Sequence, residues 1–289
     1  MNTTTTPKFS SVLAASAKFA LQWRLLLLWV VVLLIPTCIM TLPLWQIIAS
    51  QLNYSVHAGE LAHQLNMNAI NDIISVMVTN KLLLQEAGIG ALIFTLLLSP
   101  FLSGAIVTAA RATTPLPLGK LIHGGLTEYW RMFRMLVWAI IPFGIAGAIT
   151  AGVMQWSDGY AEKAILESSA NFAAHLALIV SVVFFVIADA TLDAGRAQFV
   201  YSTSRRSVIK AWWKGLTMVV KRPLTTLGYY VLITLIGLVL VVVFGLLRKN
   251  LGDVHVPGFV LGVILTQLIA ASLAWMKSAR LFALATASK

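Results

Sequence analysis

LLLLWVVVLLIPTCIMTLPLWQIIA, residues 25–49, runs without a Lys, Arg, Asp or Glu. A bilayer core needs about 20 apolar residues in one helix, so this stretch is long enough to cross it. Five further stretches meet the same test: Ala87–Ala110, Met135–Trp156, Ala170–Ala188, Leu224–Leu247 and Val256–Met276. The whole chain of 289 residues is 59% hydrophobic and 11% charged, where a soluble domain carries about 25% charged residues. Its mean hydropathy is +0.87. These numbers exclude a disordered chain and argue against a soluble enzyme. The expected fold class is all-α integral membrane, with six transmembrane helices in one polytopic domain, 1–289. Cys38 is the only cysteine, so no intrachain disulfide exists, and it reads as a small hydrophobe in its span.

The charges set a direction. Of 21 Lys and Arg, all but Lys81, Lys163, Arg248 and Lys249 fall on one side of the spans. The positive-inside rule places that side, and both termini, in the cytoplasm; the expected location is a bacterial inner membrane. Trp23, Trp130, Trp212, Trp213 and Trp275 flank the inner ends, and Trp45 and Trp156 the outer ends, as an aromatic belt does. The first apolar run is too long for the core of a cleavable signal and reads as a retained span. A net charge of +11 in such a chain points to anionic lipid headgroups, and no nucleic acid is expected.

Each odd-numbered span follows a stretch with an apolar face at helical spacing. The first carries Phe9, Val12, Leu13, Phe19 and Ala20, and the second Leu118, Leu121, Ile122, Gly125, Tyr129 and Met132. The third carries Val208, Trp212 and Val219 opposite a stripe of Arg206, Lys210, Lys214, Thr217 and Lys221. Three cytoplasmic amphipathic helices are expected. Each even-numbered span ends in one residue, two small residues and Arg: Thr108–Arg111, Asp193–Arg196 and Lys277–Arg280. The sequence therefore predicts a threefold helical-hairpin repeat, over 7–111, 115–196 and 204–280. Small-residue ridges, Gly144/Ala148/Gly152 and Gly258/Gly262/Thr266/Ala270, are expected at helix contacts. Pro36, Pro43, Pro100 and Pro142 are expected to kink their spans. The outer loop predicts one more amphipathic helix, from Leu61, Leu65, Ile70, Ile73, Ile74, Met77 and Val78.

Chemistry-bearing residues are few. His57, Glu60 and His63 spread around a helical wheel and cannot converge on a metal from one helix. Asp189 and Asp193 share a face near the inner interface, and an Asp193–Arg196 pair is expected to close the fourth helix. Their D-x-x-x-D spacing lacks the further acidic residues of the CDP-alcohol phosphotransferases. His175, with Asn171, reads as a helix–helix hydrogen-bonding residue. No P-loop, HExxH, GxSxG or CxxC occurs, so no cofactor, metal or catalytic residue is expected, and the chain reads as not an enzyme. Arg111, Arg196 and Arg280, together with Arg206, Lys210, Lys214, Lys221, Trp212 and Trp213, are the expected contacts for lipid headgroups or a partner.

SPFLSGAIVTAARATTPLPLGKLIHGG (99–125) and KAWWKGLTMVVKRPLTTLGYYVLI (210–233) resemble a broad set of uncharacterised bacterial six-span inner-membrane proteins. The set includes the membrane domain found with some glycerophosphodiester phosphodiesterases. The resemblance implies an inner-membrane protein and lends no catalytic residue. The leading expectation is a non-catalytic scaffold or accessory subunit of a transport or envelope system, with a membrane protein or ATPase as partner. The alternatives are a transporter or lipid-handling protein with a pathway in the bundle, and a membrane enzyme acting on lipid headgroups.

Overall fold

The computed structural model describes residues 9–52, 67–164, 166–201, 207–251 and 256–288. Among them lie eleven helices and no strand. In chain order these are α1 (Phe9–Phe19), α2 (Trp23–Leu52), α3 (Met67–Thr79), α4 (Lys81–Arg111), α5 (Leu118–Thr127) and α6 (Tyr129–Trp138). They continue with α7 (Ile140–Ala161), α8 (Glu167–Tyr201), α9 (Val208–Lys221), α10 (Pro223–Lys249) and α11 (Val256–Ala287). Six spans are long and apolar enough to cross a membrane: α2, α4, α6 with α7, α8, α10 and α11. The protein is an all-α polytopic membrane protein.

The spans form three hairpins, α2 with α4, α6–α7 with α8, and α10 with α11. The short helices do not pack on their own hairpins alone. α5 lies on α4, α9 lies on α8, and α1 lies on α11, so each rests on the second span of another hairpin. Close backbone approach makes two of these contacts. A side chain at Gly125 of α5 would strike Phe101 of α4, and one at Gly215 of α9 would strike the backbone of Ala194 and Gly195. At Gly215 glycine is required because backbone of the partner helix occupies the Cβ position, and at Gly125 a side chain would have to displace the Phe101 ring. α1 is held by ring contacts: Phe9 stacks on Tyr229 at 4.3 Å and Phe19 meets Phe282 at 5.2 Å. Trp275 Nε1 also donates to the Ala17 carbonyl at 2.9 Å.

The core sits at one end, where Arg24, Arg111, Arg134, Arg196 and Arg280 lie, hereafter the basic end. Leu102, Val107, Leu192, Phe199, Ile233 and Leu284 are buried there. Toward the opposite end, α4 has no buried residue from 81 to 99, and most of its Leu, Ile and Phe side chains there are exposed. In water such a surface would be unstable; in hydrocarbon it costs nothing, because lipid chains are as apolar as the side chains.

Proline shapes the third span. Pro142 has no N–H for the carbonyl of Trp138, and its ring crowds that carbonyl; the helix is interrupted at Ala139, between α6 and α7. Near Pro100 in α4, Tyr129 Oη donates to the Leu97 carbonyl at 3.0 Å. The Gly144/Ala148/Gly152 ridge is not a contact: a Cβ at Gly144 or Gly152 would meet nothing within 4 Å. α7 and α8 instead pack with Ala146, Ala173, Ala177 and Ser181 buried, so the small residues that matter lie on another face. On α11, Gly262 is covered by the Arg248 side chain of α10, while Thr266 is exposed and bonds the Gly262 carbonyl of its own helix. The predicted outer-loop helix is present from Met67 as α3. Leu61, Leu65, His57, Glu60 and His63 lie outside the described residues.

Candidate functional site

The polar centre of the basic end grows from the last turns of α8. Asp189, Asp193 and Arg196 occupy one face at i, i+4 and i+7. Packing brings Arg280 of α11 and Tyr230 and Thr234 of α10 onto that face. Arg196 Nη1 meets Asp193 Oδ1 at 2.6 Å. Arg280 lies between the two carboxylates, 3.3 Å from Asp189 Oδ2 and 3.1 Å from Asp193 Oδ2. Tyr230 Oη donates to Asp189 Oδ2 at 2.5 Å, and the Arg280 guanidinium lies 4.5 Å from the Tyr230 ring centre. Arg280 Nη1 also donates to Thr234 Oγ1 at 3.3 Å.

Arg280 is 3% exposed and Asp193 5%. Burial of isolated charges is costly, and here the guanidiniums of Arg196 and Arg280 face the carboxylates of Asp189 and Asp193, with Lys277 close enough to interact with all four. Asp193 Oδ2 and Arg280 Nε make no hydrogen bond. The 3.1 Å contact between these groups is therefore coulombic attraction without good donor alignment.

A second cluster ties α4 to α8. Arg111 Nη1 meets Glu128 Oε1 at 2.7 Å, and Arg131 Nη1 meets Glu128 Oε2 at 2.9 Å. The Arg111 side chain also donates to the carbonyls of Phe199 at 2.7 Å and Val200 at 3.3 Å. A cation on the last carbonyls of a helix satisfies orphan acceptors and opposes the dipole. Glu128 is buried, which by itself would raise its pKa; the bonds and charges of Arg111 and Arg131 outweigh that and hold it below its ordinary value.

The arginines that end the even-numbered spans thus turn inward. Arg111, Arg196 and Arg280 all pair with carboxylates, and Arg280 is too deeply enclosed to reach a headgroup. The expected Asp193–Arg196 pair is present, yet it is one edge of a buried network and not a lid on a single helix. Trp212 also faces protein: its Nε1 donates to Thr191 Oγ1 at 3.2 Å, and its ring meets Trp138 at 5.7 Å. Trp213, Lys210, Lys214 and Lys221 are exposed, with Trp213 at 58%. Arg206 lies outside the described residues. His175 is exposed and its Nδ1 lies 2.6 Å from the Asn171 carbonyl of its own helix, so it makes a local bond and not one between helices.

No family model, no curated protein and no solved structure matches the chain. Among the described residues no group of three His, Cys, Asp or Glu could hold a metal ion. The sequence reading passed over Glu128, Tyr230 and Thr234. Glu128 had a legible signal: of the ten acids in the sequence, only Glu128, Asp189 and Asp193 fall beside the arginine-rich ends of the spans. All three are in ion pairs with arginine.

Proposed function

We propose that this chain is a non-catalytic inner-membrane scaffold or accessory subunit, with its termini and basic end in the cytoplasm. One observation carries the reading. The three acids at the basic end, the groups that a proton path or a hydrolase would use, are each engaged by arginine and tie helices together. A general base or an ion ligand needs a carboxylate free to change partners. Asp189 is held by Tyr230 and Arg280, Asp193 by Arg196 and Arg280, and Glu128 by Arg111 and Arg131.

The order of packing supports the threefold reading over 7–111, 115–196 and 204–280. α1 rests on the second span of the third unit, α5 on that of the first, and α9 on that of the second. This cyclic exchange is what parallel repeats around an axis along the membrane normal would give. In this reading the exposed apolar flanks away from the basic end offer contact to lipid and to a partner membrane protein, and the exposed lysines of α9 face anionic headgroups or a peripheral ATPase.

Reconstitution tests the proposal. The purified chain, in vesicles of phosphatidylcholine and phosphatidylglycerol, is expected to pass neither ions nor fluorescent lipid between leaflets and to release no headgroup. Fast lipid exchange, ion flux or headgroup release by the chain alone would replace the scaffold with one of the rival readings.

A further inference from the structure

α1 and α2 meet at a corner, residues 20–22, where the chain leaves one helix and enters the next. A cavity of about 590 Å³ opens against this corner, closed on its far side by the connection between α4 and α5. Phe19, Leu21 and Leu116 give it apolar walls, and Lys18 and Arg24 stand on its lining. Gln22 also lines it, is 8% exposed, and has no hydrogen-bond partner at either Nε2 or Oε1. A buried amide with neither its donor nor its acceptor satisfied is unfavourable, and a ligand that both accepts and donates would satisfy it. Lys18 and Arg24 have no ion pair among the described residues, and the Arg24 guanidinium rests 5.3 Å from the Trp23 ring centre. Trp23 itself is 67% exposed, which suits an aromatic anchor at headgroup depth.

We infer that this cavity holds one anionic phospholipid. The phosphate lies between Lys18 and Arg24. Gln22 Nε2 donates to a phosphate or ester oxygen, and Gln22 Oε1 accepts from a headgroup hydroxyl. The start of an acyl chain runs along Phe19, Leu21 and Leu116, with the remainder in the bilayer. Charge complementarity selects an anionic headgroup, and the apolar wall selects a lipid over a free anion. The inference rests on this cavity and is independent of the scaffold reading, which the flux assay tests separately.

Native mass spectrometry of the chain released from nanodiscs of equal phosphatidylglycerol and phosphatidylcholine tests it. The unaltered chain is expected to retain one phosphatidylglycerol in preference to phosphatidylcholine by about tenfold or more, the effect of two near-surface cations. Lys18→Gln/Arg24→Gln removes that preference, and Lys214→Gln/Lys221→Gln leaves it in place. Leu116→Trp, which fills the cavity and keeps both charges, lowers retention while gel-filtration elution stays unchanged. Millimolar inorganic phosphate does not displace the lipid. Equal retention of the two lipids by the unaltered chain would overturn the inference whether or not any variant folds. So would a preference that survives in Lys18→Gln/Arg24→Gln, or displacement by phosphate alone.

Discussion

The two halves of α8 lie in different surroundings. From Glu167 to Ile187 it buries only Ala173, Ala177 and Ser181, one narrow face toward α7. From Ala188 to Val200 it buries every residue except Asp189, Arg196 and Gln198, which are partly covered. The same division holds in α4, unburied from 81 to 99 and packed from Pro100 on, and in α11, where burial is dense from Ser272 to Ala285. In the apolar half the bilayer is the solvent, and side chains have little to gain from one another. At the basic end, charge cannot be left in hydrocarbon and is not fully in water, so acids and arginines must find each other. Specific structure is therefore concentrated where the chain is least hydrophobic.

Breaking the network should cost most. Arg280→Ala leaves Asp189 without its cation and Asp193 with only Arg196, both partly or wholly buried. A loss of about 3–5 kcal/mol is expected, read as a large fall in the melting temperature of the detergent-solubilised protein. A similar truncation in the apolar half, Phe172→Ala, removes a 68% exposed ring and should move stability by about 0.5 kcal/mol or less.

The second cluster gives a pH signature. Because the pKa of Glu128 is lowered from its ordinary 4.5, its contribution to stability is fully present above that value and fades as pH falls through the lower, folded value. Glu128→Gln is expected to cost about 2 kcal/mol at neutral pH and to flatten the part of the acid profile that this group supplies. Melting temperatures of both proteins between neutral and strongly acidic pH check it; parallel profiles would remove Glu128 as the source.

Glycines sharpen the contrast further. Gly215→Val drives a side chain into the backbone of α8 and should cost about 1–3 kcal/mol by overpacking. A Cβ at Gly144 would meet nothing within 4 Å, so Gly144→Val should change stability by well under 1 kcal/mol. Smallest of all, replacing Lys210, Lys214 and Lys221 by Gln should leave folding within about 0.5 kcal/mol, because these side chains are exposed. Its effect would be on binding of the folded chain to anionic surfaces.

The six spans were legible because a membrane helix announces itself by length and lack of charge alone. Their ends at the basic side were harder. The apolar run of the fourth span stops at Ala188, yet the helix continues to Tyr201, because Asp189, Asp193 and Arg196 are paired with neighbours and need not leave the fold. The Asp193–Arg196 pair was readable from spacing within one helix. The contribution of Arg280 was not, since it depends on how α11 crosses α8, and snorkelling to a headgroup is the default for an arginine at the end of a span. The ridge at Gly144 misled for a related reason: small residues permit contact between helices, but a partner must be present on that face.

A double-mutant cycle on Asp193→Asn and Arg280→Gln, the pair that joins α8 to α11, tests the central claim, that paired charges at the basic end tie one hairpin to another. With melting measured for the unaltered protein, both single variants and the pair, a coupling of about 1–3 kcal/mol is expected, the second substitution costing far less once the first is made. Strict additivity of the two effects would contradict it.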